Sequence, residues 1–322
     1  MRKTLIPVLA AVIALSGCSP HFHLDFLGQE KLEEITLVPG PAEYKIAMID
    51  VEGMISSAAG QGPLSRERNP VSRVFERLDR AAVDPRVKAV ILRLDTPGGE
   101  VTASDIIYHE VLRFKERTRK PVVGLMMGVA ASGGYYVASA CDHIMAHPST
   151  LTGSIGVISI FPNVRDLMSK VGLKVEVVKS GGAKDAGSPF RDMTVEEKAA
   201  FQGIIDEYYQ GFLEVVAANR KDKIGAEELR TLADGRVYTA PQALRFNLID
   251  EIGYFDDASR KAMSLARLKA ARVVAYSRYP KSESNIYAAR LGDFSPLDKK
   301  VLESYLAALK TGFYYLWLPQ AQ

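Results

Sequence analysis

A serine hydroxyl attacks a carbonyl carbon only when a base takes its proton and fixed donors stabilise the oxyanion. The stretch Ala131-Ser132-Gly133-Gly134-Tyr135-Tyr136, followed by Pro148-Ser149-Thr150-Leu151-Thr152-Gly153-Ser154-Ile155-Gly156, concentrates residues suited to that task. Ser132 stands where an apolar run ends and a helical pattern begins, with glycines behind it that let a ligand's backbone come close. The spelling is not Gly-x-Ser-x-Gly, so the base and the donors must be sought elsewhere. His143 and His147 follow closely, but neither is flanked by loop glycines, and both read as packed or hydrogen-bonded side chains rather than as a triad base. The other candidates are lysines of the Gly-rich segment 179–189, Lys179 and Lys184, between which spacing does not choose. A lysine serves as base only when burial or neighbours let it lose its proton near neutral pH. Backbone N–H groups at Gly98-Gly99 and at Gly133 are placed to converge on an oxyanion.

The elements that would hold these residues can be read from periodicity. Lys45 to Val51, Val87 to Leu94 and Pro121 to Met127 are apolar enough for buried strands. Between them, Asn69-Pro70 opens a helical pattern that Asp84-Pro85 ends, and a second helix carries Ile106, Ile107, Val111, Leu112 and Phe114. Strands alternating with helices describe repeated βαβ units and a largely parallel sheet, with sites at the C-terminal ends of strands. The turn Asp95-Thr96-Pro97-Gly98-Gly99 and the Ser132 corner both fall at such ends. Further on, 142–146, 156–160 and 174–178 read as strands, 163–171 as a helix, and Thr194-Val195-Glu196-Glu197 as a capping box opening a long helix to about Asn219.

With 322 residues, 41 basic against 38 acidic and a net charge of +3, the chain shows no electrostatic footprint for nucleic acid. Two cysteines, Cys18 and Cys141, make neither a disulfide framework nor a zinc site, and no metal or cofactor is expected. Arg2-Lys3, the apolar run Leu5–Leu15 and Ser16-Gly17-Cys18 describe an export signal rather than a spanning helix. The cysteine after small residues resembles a bacterial lipobox. Four regions follow: a lipoprotein signal at 1–17, a lipid-anchored tether at 18–43, a globular body at 44–270 and a C-terminal extension at 271–322. Within that extension 296–309 reads as a helix, and the aromatic run 313–318 as packing on the domain or a neighbour in preference to bilayer contact.

Taken together, the Ser132 block, the Pro97-Gly98-Gly99 turn, the loop Lys179-Ser180-Gly181-Gly182-Ala183-Lys184-Asp185 and Asp234-Gly235-Arg236-Val237-Tyr238 resemble the signal peptide peptidase A family of bacterial serine proteases. The resemblance covers about residues 44–267 and is closest to the short, single-domain type, in which one subunit carries both dyad residues. It implies an α/β fold of the Clp-protease/crotonase-like kind and a Ser–Lys dyad with Ser132 as nucleophile and Lys184 as general base. It also implies that Ser154 orients the lysine and that Gly99 and Gly133 form the oxyanion hole, Gly98 remaining an alternative to Gly99. Relatives self-associate into ring-like homo-oligomers and degrade signal-peptide remnants and unfolded chains. With the lipobox, this places the protein in the bacterial envelope, held to a membrane through Cys18 and facing the exported side. Two rivals are a crotonase-fold enzyme acting on a coenzyme A thioester and a non-catalytic envelope lipoprotein using the fold as a scaffold.

Overall fold

The computed structural model describes residues 32–41, 43–58, 69–278, 285–286 and 312–317. The export signal, Cys18 and the helix expected over 296–309 lie outside these residues. The strands are β1 (Glu33–Val38), β2 (Lys45–Glu52), β3 (Val87–Thr96), β4 (Gly98–Glu100), β5 (Val122–Ala131), β6 (His143–Ala146), β7 (Leu151–Gly153), β8 (Ile158–Ser159), β9 (Val237–Thr239), β10 (Glu251–Ile252), β11 (Arg272–Ser277) and β12 (Phe313–Leu316). The helices are α1 (Pro70–Val83), α2 (Val101–Thr118), α3 (Gly133–Ala138), α4 (Arg165–Lys170), α5 (Val195–Arg220), α6 (Ala226–Leu232), α7 (Ala240–Arg245) and α8 (Phe255–Leu265).

The main sheet runs β1-β11-β2-β3-β5-β6-β10, with β7 beside β5 and β9 beside β7. From β11 to β10 every pairing along this path is parallel. The successive units β2-α1-β3, β3-α2-β5 and β5-α3-β6 are the βαβ repeat expected from the alternation of patterns. Both faces are covered, which is why β2, β3 and β5 read as continuous apolar runs rather than alternating ones. On one face α8 sets Phe255, Ala258 and Ala262 against Ile46, Met48, Ile91, Val123 and Leu125. Helix α1 lies against β2 and α2, and α2 against α3.

Local signals hold where capping chemistry is explicit. Asn69 Oδ1 accepts from Ser72 N at 2.8 Å ahead of Pro70, and Thr194 and Glu197 form the expected reciprocal cap of α5. Three readings change. The segment 174–178 alternates like a strand but pairs with no strand among the described residues; Val175, Val177 and Val178 are exposed. The helix expected over 163–171 shortens to α4, and the strand over 156–160 to β8. The main sheet also runs past residues 44 and 270. Within the stretch read as tether, β1 pairs antiparallel with β11, and β11 pairs with β2. In the described residues no helix is long and apolar enough to cross a membrane.

The sheet's start is tied by a buried cation. Lys45, fully enclosed, donates from Nζ to Glu34 Oε2 at 2.6 Å and Asp84 Oδ2 at 2.8 Å, joining β1, β2 and the end of α1. Burial acts to raise the Asp84 carboxyl, but the bonds from Lys45 and from Arg86 N outweigh it and hold it at about 2. A carboxyl held below its unfolded value of about 3.9 contributes stability above that pH and loses it as pH falls towards its folded value. Asp84→Asn is therefore expected to lower Tm at neutral pH and to flatten its decline between about pH 4 and 2, read by thermal unfolding across that range.

Candidate active site

Ser132 caps the end of β5 with φ 53° and ψ −115°, a conformation that side chains rarely adopt. The corner is fixed from three directions. Ser132 N donates to Gly153 O at 2.7 Å, Tyr136 N donates back to Ser132 O at 2.9 Å, and Thr152 Oγ1 donates to Ala130 O at 2.6 Å. A Cβ on Gly133 would stand 2.4 Å from Ser104 Oγ, and one on Gly134 2.7 Å from Thr96 Cγ2, so α3 begins where only glycines let it lie against β3 and α2. Ser132 is 1% exposed, and its Oγ is buried with no hydrogen-bond partner.

Facing it is the turn from β3 into β4. Gly98 has φ 101°, and its N–H donates to Thr96 Oγ1 at 3.1 Å. Gly98 O and Glu100 N bond to Ile55 at 2.8 Å each. Because neighbouring residues of a strand present their backbone groups to opposite sides, the Gly99 N–H and C=O face away from Ile55, towards β12. The space above Gly98 abuts Gly133: a Cβ on Gly98 would lie 2.7 Å from Gly133 N. Of the two glycines that spacing left open, Gly98 already spends its N–H inside the turn and Gly99 does not.

Ser154, also at positive φ (49°), follows β7, which pairs with β5 next to the Ser132 corner. Its N–H donates to Arg236 O at 2.8 Å, and Gly153 leaves room for the Tyr238 ring, 2.6 Å from where a Cβ would stand. The Asp234–Tyr238 motif is thus the strut that sets the backbone of Ser154. A cavity of about 460 Å³ opens beside it, lined among others by Ser154, Gly156, Asp206, Asp234, Leu316 and Trp317.

The lysine loop is where one chain stops short. Lys179 Nζ donates to Gly182 O at 2.8 Å and pairs with Asp185 at 2.5 Å, and Arg191 joins Asp185 at 2.7 Å and Glu197 at 2.5 Å. Hydrogen bonds from Arg191 and Lys179 hold the Asp185 carboxyl well below its usual range. Lys179 is therefore spent on closing its own loop. Lys184, on a 3-10 turn at Gly182–Asp185, is exposed and makes no ion pair among the described residues. Since Ser132 Oγ has no partner, Lys184 is not bonded to it within the single chain.

The histidines are committed elsewhere. His143 is in register with Val123 at the far end of β5, about 30 Å from Ser132 at strand rise, and lies 3.0 Å from Glu251 Oε2. His147 Nδ1 meets Ser149 Oγ at 2.8 Å, and its ring stands edge-on to Tyr254. Burial pushes the Cys141 thiol up to about 12, which leaves it unreactive. No described group of His, Cys, Asp and Glu is arranged to hold a metal ion. Sequence reasoning missed Thr96, Ser104, Tyr136 and the Arg236 carbonyl as positioning groups. Thr96, Tyr136 and Arg236 carried a signal, through their places in the quoted motifs, whereas Ser104 carried none.

Residues 114–269 match peptidase family S49. The chain is 37% identical over 229 residues to a provisionally named protease of Synechocystis sp., covering 71% of this chain and 77% of that protein. A provisionally named signal peptide peptidase of Enterococcus faecium is 34% identical over 251 residues, 78% of this chain and 72% of the relative. Protease 4 of Salmonella typhi is 35% identical over 228 residues, 71% of this chain but 36% of its own length.

Proposed function

We propose, from the premise that the chain belongs to peptidase family S49 and is a serine-type peptidase, that it degrades cleaved signal peptides and other small or unfolded polypeptides through an acyl-enzyme on Ser132. The observation that carries this reading is the Ser132 hydroxyl, buried, unpaired and held on a strained corner against Gly98-Gly99 and Gly133. Strain of this kind is stored where a fold must present a reactive group. A scaffold that only binds has no use for it, and membership of a peptidase family argues against a coenzyme A thioester.

In this reading Ser132 Oγ attacks the peptide carbonyl and its proton passes to the Lys184 amine. The oxyanion is held by the N–H groups of Gly99 and Gly133, and the leaving amine takes the proton back. Water then repeats the sequence to free the acyl group. The exposed Lys184 and the unpartnered hydroxyl point to a dyad completed between copies. Self-association would bring the lysine loop of a neighbour over Ser132 and Ser154 and cover the exposed valines at 175, 177 and 178. Lipidation at Cys18 would hold the assembly at the exported side of a membrane, where signal-peptide remnants lie.

A serine-directed fluorophosphonate tests the nucleophile. It is expected to add one adduct, mapped by mass spectrometry to the peptide containing Ser132 and absent from Ser132→Ala; labelling at another residue would sink the assignment. Cys18→Ser should move the protein from the membrane to the soluble fraction, and unchanged retention would remove the lipid anchor from the proposal.

A further inference from the structure

Strand β5 changes partner along its length. Val123 to Met126 lie beside His143 to Ala146 of β6, whereas Val129 to Ala131 lie beside Leu151 to Gly153 of β7. The change falls on a bulge. On the other side of β5, Leu94 of β3 stands opposite Met126 and Thr96 opposite Ala130, so Asp95 alone faces Met127, Gly128 and Val129. Two extra residues, rather than one, leave the alternation of faces intact, and Met126 and Ala130 are both buried. Ser132 follows Ala131 directly, so the path of the strand after the bulge decides where the nucleophile stands.

A bulge deprives backbone groups of ladder partners, and here side chains take their place. Thr150 Oγ1 lies 3.0 Å from Met126 O and 2.5 Å from Met127 O, donating to this pair of carbonyls. Asp95 Oδ1 accepts from Val129 N at 3.0 Å. Gly128 lets the carboxylate lie close to the chain, since a Cβ there would stand 3.3 Å from Asp95 Oδ1. Val129 is the first residue paired with β7, so the bond from Asp95 fixes the point from which the strand runs on to Ser132.

Asp95 also begins the opposing turn. Its carbonyl accepts from Gly53 N at 3.1 Å. The next residue, Thr96, donates from Oγ1 to Gly53 O at 2.5 Å and accepts from Gly98 N at 3.1 Å. The backbone of Asp95 thus leads into Gly98 and Gly99, while its side chain holds the strand that ends at Ser132. The carboxylate has little else to compensate its half-buried place. Among the described residues it makes no other hydrogen bond and no ion pair, because the neighbouring Arg93 is committed to Asp50 and Glu52. Burial pushes its carboxyl above the usual range. Local exceptions of this kind, destabilising in themselves, concentrate where geometry serves function.

We propose that Asp95 is a positioning residue for peptide hydrolysis: its carboxylate holds the bulge of β5 and so sets the distance between the Ser132 corner and the glycine turn that its own backbone begins. The inference rests on the reading of Ser132 as nucleophile. Asp95 touches neither substrate nor reacting atoms, and it acts through Val129 on one side and Thr96 on the other.

Two substitutions of nearly equal size separate the acceptor from the bulk. Asp95→Asn keeps an oxygen for Val129 N, and Asp95→Leu does not; Asp95→Ala gives the same reading where leucine is not accommodated. In the full chain, the rate of fluorophosphonate addition to Ser132 and kcat towards a fluorogenic peptide are measured beside KM and the far-UV spectrum. Asp95→Asn is expected to stay within about threefold of the parent in both rates, since the acceptor survives. Asp95→Leu and Asp95→Ala are expected to lose about 10²-fold in both, the effect of a displacement of about 1 Å at a reacting pair, with KM within about twofold. Parent rates in the leucine and alanine variants, with the adduct still on Ser132, would overturn the proposal alone. So would an asparagine variant that falls as far as leucine, or a loss that only follows the unfolded fraction. An adduct mapped in the parent chain to a residue other than Ser132 would instead overturn the nucleophile, and this inference with it.

Discussion

Ser132→Ala is expected to lower kcat at least about 10⁴-fold towards an unfolded protein substrate, with KM and Tm close to those of the parent chain. The size follows from the role: without the hydroxyl no acyl-enzyme forms, and what remains is whatever the groove and its glycine donors contribute alone. The unchanged Tm follows from the structure. The hydroxyl is buried and bonds to nothing among the described residues, so removing it costs no hydrogen bond and relieves a desolvated polar atom. The positive φ at position 132 is as demanding for alanine as for serine. Hydrolysis retained at more than a tenth of the parent rate would require a different nucleophile.

Lys184→Ala is expected to cause a loss of comparable size, again with the fold intact, since the side chain is exposed and carries no ion pair among the described residues. Lys179→Ala should behave differently, loosening the loop that Asp185 and Arg191 close and lowering activity in part. The decisive arm is mixing. If each site takes Ser132 from one copy and Lys184 from the next, equal parts of Ser132→Ala and Lys184→Ala, co-assembled, should recover activity towards about one quarter of the parent value. Recovery of nothing, in assemblies shown to contain both variants, would place both groups in one chain.

The βαβ core and the two turns at strand ends were legible because their signals are local. Apolar runs of strand length, Asn69-Pro70, and the Thr194 and Glu197 cap each act within a few residues. Candidate site residues were legible as types, but their competition was not. That Lys179 closes a loop, that Gly98 gives its N–H to Thr96, and that His143 lies at the wrong end of β5 are facts of register and pairing between distant segments. The alternation in 174–178 was real, but among the described residues no strand pairs with it. The tail was legible as aromatic packing, and the fold places it on the domain; its seat beside the glycine turn depends on antiparallel pairing with residues two hundred positions earlier.

The position of β11 has a consequence for biosynthesis. It lies inside the main sheet, between β1 and β2, joining Lys45 to Arg272 and Glu33 to Ser277. Until residue 277 has been made, β2 is an open edge and β1 has nothing to pair with, so the ribosome releases nearly the whole chain before the sheet can close. Such distant pairing is slow to form, which in the proposed reading suits a polypeptide that crosses a membrane unfolded. In the proposed reading the hydrolase is inert during translation and transit, and its first competent state arises on the far side, among the remnants it consumes.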